Sequence, residues 1–162
     1  MTDYEGLELI AKTSDDAPSS FRAVEKLHDN ASSSETYARL ERVATEGVWR
    51  KSSVRAVGAL HDMASSSKTY ERLERIAKAN TNHPETAVAA VDALHDMASS
   101  SKTYKRLERI GKGVETAHPD AAVRATNALA DLCSSSKTEK RLRRIAQDGE
   151  YREARRIATD AL

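Results

Sequence analysis

The sequence predicts an all-α fold, an α-solenoid of four helix-pair repeats closed by a half-repeat at each end. Three observations carry that expectation. The stretch from His61 to Ile76 recurs at His95 to Ile110 with one change, Glu71 for Lys105, and looser copies begin at His28 and Ala130. The copies are spaced by 33, 34 and 35 residues, a period that fits a pair of helices. Apolar residues recur at helical spacing throughout, and strand signals are missing. Both ends are partial copies: Tyr4, Leu7, Ile10 and Ala11 repeat the pattern of Tyr70, Leu73, Ile76 and Ala77, and Ala158 to Leu162 echoes Ala125 to Leu129. Half-units of this kind can cap a stacked array.

Taken in order, the units are an N-terminal half-repeat (1–15), repeats at 16–48, 49–80, 81–113 and 114–149, and a C-terminal cap helix (150–162), about ten helices in all. One helix of each unit is Arg- and Glu-rich, with an apolar face such as Tyr70, Leu73, Ile76 and Ala77. The other is alanine-rich, with Val54, Val57, Leu60, Met63 and Ala64 as the apolar face of the second unit. The serine triplet at 65–67, like its counterparts, stops one helix and can cap the next through a hydroxyl. Pro18, Pro84 and Pro119 stand at the other junction, where proline's fixed φ suits a first helical turn.

The stretch Ala117-His-Pro-Asp-Ala-Ala-Val-Arg-Ala-Thr-Asn-Ala-Leu129 resembles the HEAT-like repeats of the phycobilisome-lyase type, in which a D-P-x-V-R segment opens an alanine-bearing helix. Ser53 to Leu60 is similar. The chain departs from the pattern at Ala89, where an Arg is expected, and in its serine triplets. The resemblance covers nearly the whole chain and implies a right-handed superhelix with the alanine-rich helices on its concave side. Tetratricopeptide repeats share the period, but their Trp, Gly-Tyr and Pro pattern is missing.

Composition excludes several classes. The 26 basic residues almost cancel the 25 acidic ones, and mean hydropathy is −0.65. No apolar run approaches the roughly 18 residues of a spanning helix, and the first residues are acidic where a secretory signal would be basic. A single cysteine leaves no internal disulfide framework. The expectation is a soluble, cytoplasmic protein with no membrane partner. The charge is unevenly placed: residues 1–50 hold 6 basic and 10 acidic side chains, residues 51–100 hold 6 and 6, and residues 101–162 hold 14 and 9. Those thirds carry net −4, 0 and +5, a polarity that could orient a partner or favour head-to-tail self-association.

Several residue sets invite chemistry. His28-Asp29, His61-Asp62 and His95-Asp96 suggest a metal site, but equivalent positions of stacked helices lie on the order of 10 Å apart, so the histidines read as inter-repeat packing. Arg22 with Asp29, Arg55 with Asp62 and Arg124 with Asp131 are seven apart on one helix face, and Asp92, Asp96 and Asn127 extend the polar strip. Such a strip suits a ladder between repeats or a concave protein-binding face. The serine turns, three of them followed by Lys68, Lys102 or Lys137, are read as helix caps before anion sites. Arg39, Arg72, Arg106 and Arg141 form one column and Arg42, Arg75, Arg109 and Arg144 the next, with Glu71 able to pair with Arg75. Lys137, Lys140, Arg141, Arg143, Arg144, Arg152, Arg155 and Arg156 make the C-terminal end basic. Cys133 reads as a small packing residue, and Trp49 as a binding anchor or a filler between repeats.

No catalytic set, metal site or cofactor is expected. The function expected is a non-enzymatic protein-binding module of scaffold, adaptor or inhibitor type, with a protein partner along the concave helices. The alternatives are nucleic-acid binding by the basic end and, further off, a HEAT-like lyase or metal-dependent hydroxylase.

Overall fold

The computed structural model describes residues 3–63 and 66–162. Ala64 and Ser65, which the sequence assigns to a helix face and a serine turn, lie outside the described residues. Among these there are ten helices and no strand. They are α1 (Tyr4–Thr13), α2 (Ala17–Asp29), α3 (Ser34–Glu46), α4 (Arg50–Asp62), α5 (Ser67–Lys78), α6 (Pro84–Asp96), α7 (Ser101–Lys112), α8 (Pro119–Asp131), α9 (Ser136–Asp148) and α10 (Arg152–Asp160).

The chain packs as five hairpins, α1 with α2 through α9 with α10, stacked so that each helix also meets its counterpart two elements on. The helices flanking a serine turn, such as α2 and α3, touch far less. The hairpins are therefore phased half a unit away from divisions drawn before the alanine-rich helices, and the two ends complete hairpins of their own. No helix is long and apolar enough to cross a membrane among the described residues.

Local chemistry sets the helix ends. Asp3 and Asp16 accept from the backbone N–H groups of Gly6 and Ser19 at 2.8 and 2.9 Å, so α1 and α2 start on carboxylate caps. Ser33, Ser100 and Ser135 cap α3, α7 and α9, each accepting from the N–H of a threonine three residues on. Pro18, Pro84 and Pro119 occupy first turns, as expected. Gly113 ends α7 with a left-handed φ of 82°, and a Cβ there would fall 2.7 Å from the Tyr151 ring.

Two leucine columns fill the space within and between hairpins. Leu40, Leu73, Leu107 and Leu142 belong to the arginine-rich helices, Leu27, Leu60, Leu94 and Leu129 to the alanine-rich ones, and all are fully buried. Ala23, Ala56, Ala90, Ala125 and Ala158 form a third buried column. With nothing beyond Cβ, alanine lets helix axes approach. The alanine-rich layer accordingly packs more closely than the other.

Three recurrent devices join the hairpins. On the arginine-rich layer, one glutamate receives two arginines of the next hairpin: Glu8 holds Arg39 and Arg42, Glu41 holds Arg72 and Arg75, Glu74 holds Arg106 and Arg109, and Glu108 holds Arg141 and Arg144. The contacts run from 2.6 to 3.2 Å. Burial pushes the Glu41 and Glu74 carboxyls up, but the paired guanidiniums outweigh it and hold both below the ordinary 4.5. The hydrogen bond from Arg42 does the same for Glu8. Glu71 turns to Arg106 of the next hairpin at 3.6 Å, where the sequence had suggested Arg75.

The second device lies at the hairpin turns. Val48, Asn82, Ala117 and Glu150 donate backbone N–H groups to the carbonyls of Lys12, Thr45, Lys78 and Lys112 in the preceding hairpin. The next residue of each adds a ring: Trp49 Nε1 donates to Ser14 O at 2.8 Å, His83 Nε2 to Val48 O at 2.9 Å, His118 Nε2 to Thr81 O at 3.1 Å, and Tyr151 Oη to Thr116 O at 2.6 Å. Trp49 is thus a joint between repeats.

The third device lies on the alanine-rich layer. Arg55 of α4 pairs with Glu25 of α2, in the preceding hairpin, and donates from Nη2 to His28 Nδ1 at 2.8 Å. Arg124 does the same with Asp92 and His95. At the intervening junction Gly58 replaces the acid and Ala89 the arginine. The two losses match, because either residue alone would leave an unpaired charge.

Candidate functional site

The outward face of the alanine-rich helices is where the chain leaves surface unspent. Phe21, Val54, Val88 and Val123 occupy equivalent positions on α2, α4, α6 and α8, two or three residues from the buried alanine and valine positions. All four are at least partly exposed, Phe21 at 38%. The sequence reading put Val54 in the core face of α4; it instead belongs to an apolar stripe along the surface. Helical periodicity places it near Val57, but only the packing of neighbouring helices decides which edge of a wide apolar arc is covered.

Two adjoining grooves follow the stripe. One, of about 540 Å³, is lined by Phe21, Arg50, Lys51, Val54, Arg55, Gly58 and Glu85. The other, of about 400 Å³, is lined by Ala17, Pro18, Phe21, Arg22 and Lys51. Gly58 opens the first of these. It stands where the other hairpins have Glu25, Asp92 and Asn127, and a Cβ there would meet only Arg55 Nη1, at 3.4 Å. Its φ is helical, so no backbone need explains the glycine. Gly58→Ala should therefore stabilise the protein by about 0.5–1 kcal/mol, read as a higher midpoint in urea; a lower midpoint would show that the residue supports packing.

The expected polar strip is divided by the structure. Arg55 and Arg124 are committed to inter-repeat pairs, as is Asp92; the half-exposed Asp62 lies 3.5 Å from Arg55 on its own helix and 3.8 Å from His28 of the preceding hairpin. Arg22 has no ion pair among the described residues. Asp29, Asp96 and Asp131 form an exposed row at the helix ends, and Asn127 is partly exposed beside the stripe. The seven-residue pairing forms in α4; Arg22 with Asp29 and Arg124 with Asp131 do not meet among the described ion pairs. His28 and His95 are packing partners, and no cluster of three or more His, Cys, Asp or Glu among the described residues is placed to hold a metal.

The basic C-terminal group is also divided. Arg141 and Arg144 are tied to Glu108, and Arg156 to Glu153 and, at 3.9 Å, Asp160. Lys137, Lys140, Arg143, Arg152 and Arg155 are exposed without an ion pair among the described residues. Arg143 stands in the column of Glu8, Glu41, Glu74 and Glu108. Cys133 is half-buried beside the core.

No family model matches the chain, and no curated protein matches it.

Sequence reasoning missed Phe21, Lys51 and Gly58 as surface determinants. The available signal was a second apolar column, one per alanine-rich helix, running beside the core leucines. Lys51 and Gly58 break their columns, which hold Pro18, Glu85 and Asp120 in one case and acids or Asn in the other.

Proposed function

We propose that the protein is a non-enzymatic protein-binding module, a scaffold, adaptor or inhibitor, that takes its partner along the alanine-rich face. The observation that carries this reading is the partly exposed stripe of Phe21, Val54, Val88 and Val123 over grooves of binding-site size. The arginine-rich layer supports it by contrast, because its charges are largely consumed in joining hairpins. The HEAT-like resemblance points to the same face. Arg22, Asp29, Asp96, Asn127 and Asp131 would surround the contact, while Arg55, Asp62, Asp92 and Arg124 hold the helices that present it.

Phe21→Asp combined with Val54→Asp should abolish capture of the partner by the immobilised protein, with helical circular dichroism and unfolding midpoint little changed. Mass spectrometry of eluates at low and high salt is the measurement. Undiminished recovery of the same protein by the variant would defeat this reading.

A second reading has its own observation in the unpaired cations Lys137, Lys140, Arg143, Arg152 and Arg155. A nucleic acid bound there would lose affinity steeply with salt. Head-to-tail self-association has less support, since Arg143 replaces the clamp's glutamate and Gly6 and Leu9 stand where a following copy would need arginines.

A further inference from the structure

We infer that the groove over Gly58 takes a linear protein segment with an apolar anchor flanked by carboxylates, an inference that rests on the protein-binding reading and names the partner's chemistry. The floor and walls are apolar: Gly58 adds no side chain, and Phe21 and Val54 present carbon on either side. An aliphatic or aromatic side chain loses water contact there without leaving a polar group unpaired. The rim is basic. Arg50 and Arg55 are joined to Glu85 and Glu25, but Arg22 and Lys51 are exposed with no carboxylate within 4.0 Å among the described residues. Lys51, on α4, lines both of the adjoining grooves that share Phe21, and Arg22, on α2, lines the second.

The sign is local. One hairpin on, the groove beside Val88 is rimmed by Asp120 and by Glu85. Glu85 lines both grooves and is paired with Arg50, so Asp120 is the acid that sets the neighbour apart. An acidic segment is therefore drawn to the α2–α4 groove and repelled from its neighbour, which fixes its place along the stripe. This basic rim lies in the more acidic part of the chain. Glu8 and Glu41 contribute to that negative balance but are turned to the opposite layer and held by arginines there.

The test uses the full chain and three fluorescent peptides of about twelve residues, sized to cross two helices about 10 Å apart. One carries a central Trp and Leu flanked by aspartates, the second has lysines in their place, and the third keeps the aspartates but has serines as anchors. Anisotropy at low salt should show the aspartate peptide binding at least tenfold more tightly than either control. Gly58→Leu, which fills the groove floor at a position open to a side chain, should weaken it at least tenfold while the unfolding midpoint is kept or raised. Arg22→Glu with Lys51→Glu should turn the preference toward the lysine peptide.

Equal or tighter binding of the lysine peptide, still lost in Gly58→Leu, would overturn the acidic partner and leave the face a protein-binding site. Binding of the aspartate peptide that ignores Gly58→Leu, or of the serine control as tightly, would overturn the groove. No binding of any peptide, together with partner capture that survives Phe21→Asp and Val54→Asp, would overturn both readings. An oligonucleotide displacing the aspartate peptide from wild type but not from Gly58→Leu would assign the groove to nucleic acid instead.

Discussion

Glu74→Ala is expected to lower stability by about 3–5 kcal/mol, the cost of leaving a buried charge without its partner. Glu74 lies in the middle of the stack, and Arg106, one of its two arginines, is 9% exposed. Removing the carboxylate leaves that guanidinium between α5 and α7 with only Glu71, half-exposed and 3.6 Å away. Arg109 is more exposed and can turn to water, so the lower part of the range is the better expectation. For a chain of this size the loss corresponds to a midpoint roughly 6–15 °C lower. The same change at Glu8 should cost less, because Arg39 and Arg42 also reach Glu35 at 3.6 Å, and Arg39 reaches Glu5 at 3.8 Å.

The pH dependence identifies the cause. Glu74 titrates below 4.5 in the folded protein because two guanidiniums outweigh its burial. Its contribution is therefore present above about pH 4.5, the unfolded value, and is lost as pH falls through the lower folded value. Wild type and Glu74→Ala should converge in stability over that acid range. Urea titrations between neutral pH and pH 3 would show the gap closing, whereas a constant gap would mean that the variant damages packing and not the charge clamp.

Leu94→Ala should cost about 2–5 kcal/mol, the usual range for a leucine removed from a close-packed core. Leu94 is fully buried within α6 at the centre of the stack. Leu162 occupies the same column after the last helix and is 51% exposed. Leu162→Ala should change stability by less than about 0.5 kcal/mol. The pair separates burial from residue type, and a comparable loss at both positions in urea unfolding would refute the packing account.

Most of the architecture was legible because it repeats. The near-identity of His61–Ile76 and His95–Ile110 sets the period, the prolines and serine turns mark helix ends, and the leucine spacing marks the helical faces. Phasing was less legible. A period of 33 to 35 residues is the same wherever the unit is cut, and only side-by-side packing shows that α1 belongs with α2 and α9 with α10. The arginine columns were visible too, but their partners were not. Glu41 follows Arg39 and precedes Arg42 in the chain, yet it serves Arg72 and Arg75, because contacts between stacked hairpins span about one repeat of sequence.

The sequence by itself determined an all-helical array, the order of its elements and most residues of its core, since these follow from periodicity and local propensity. The tertiary structure alone decided which charges are spent and which remain. Arg55, Arg124, Arg141 and Arg144 resemble Arg22, Lys51 and Arg143 in composition and in helical setting. What separates them is whether the neighbouring hairpin supplies a carboxylate within reach, and that depends on which helices the fold brings together.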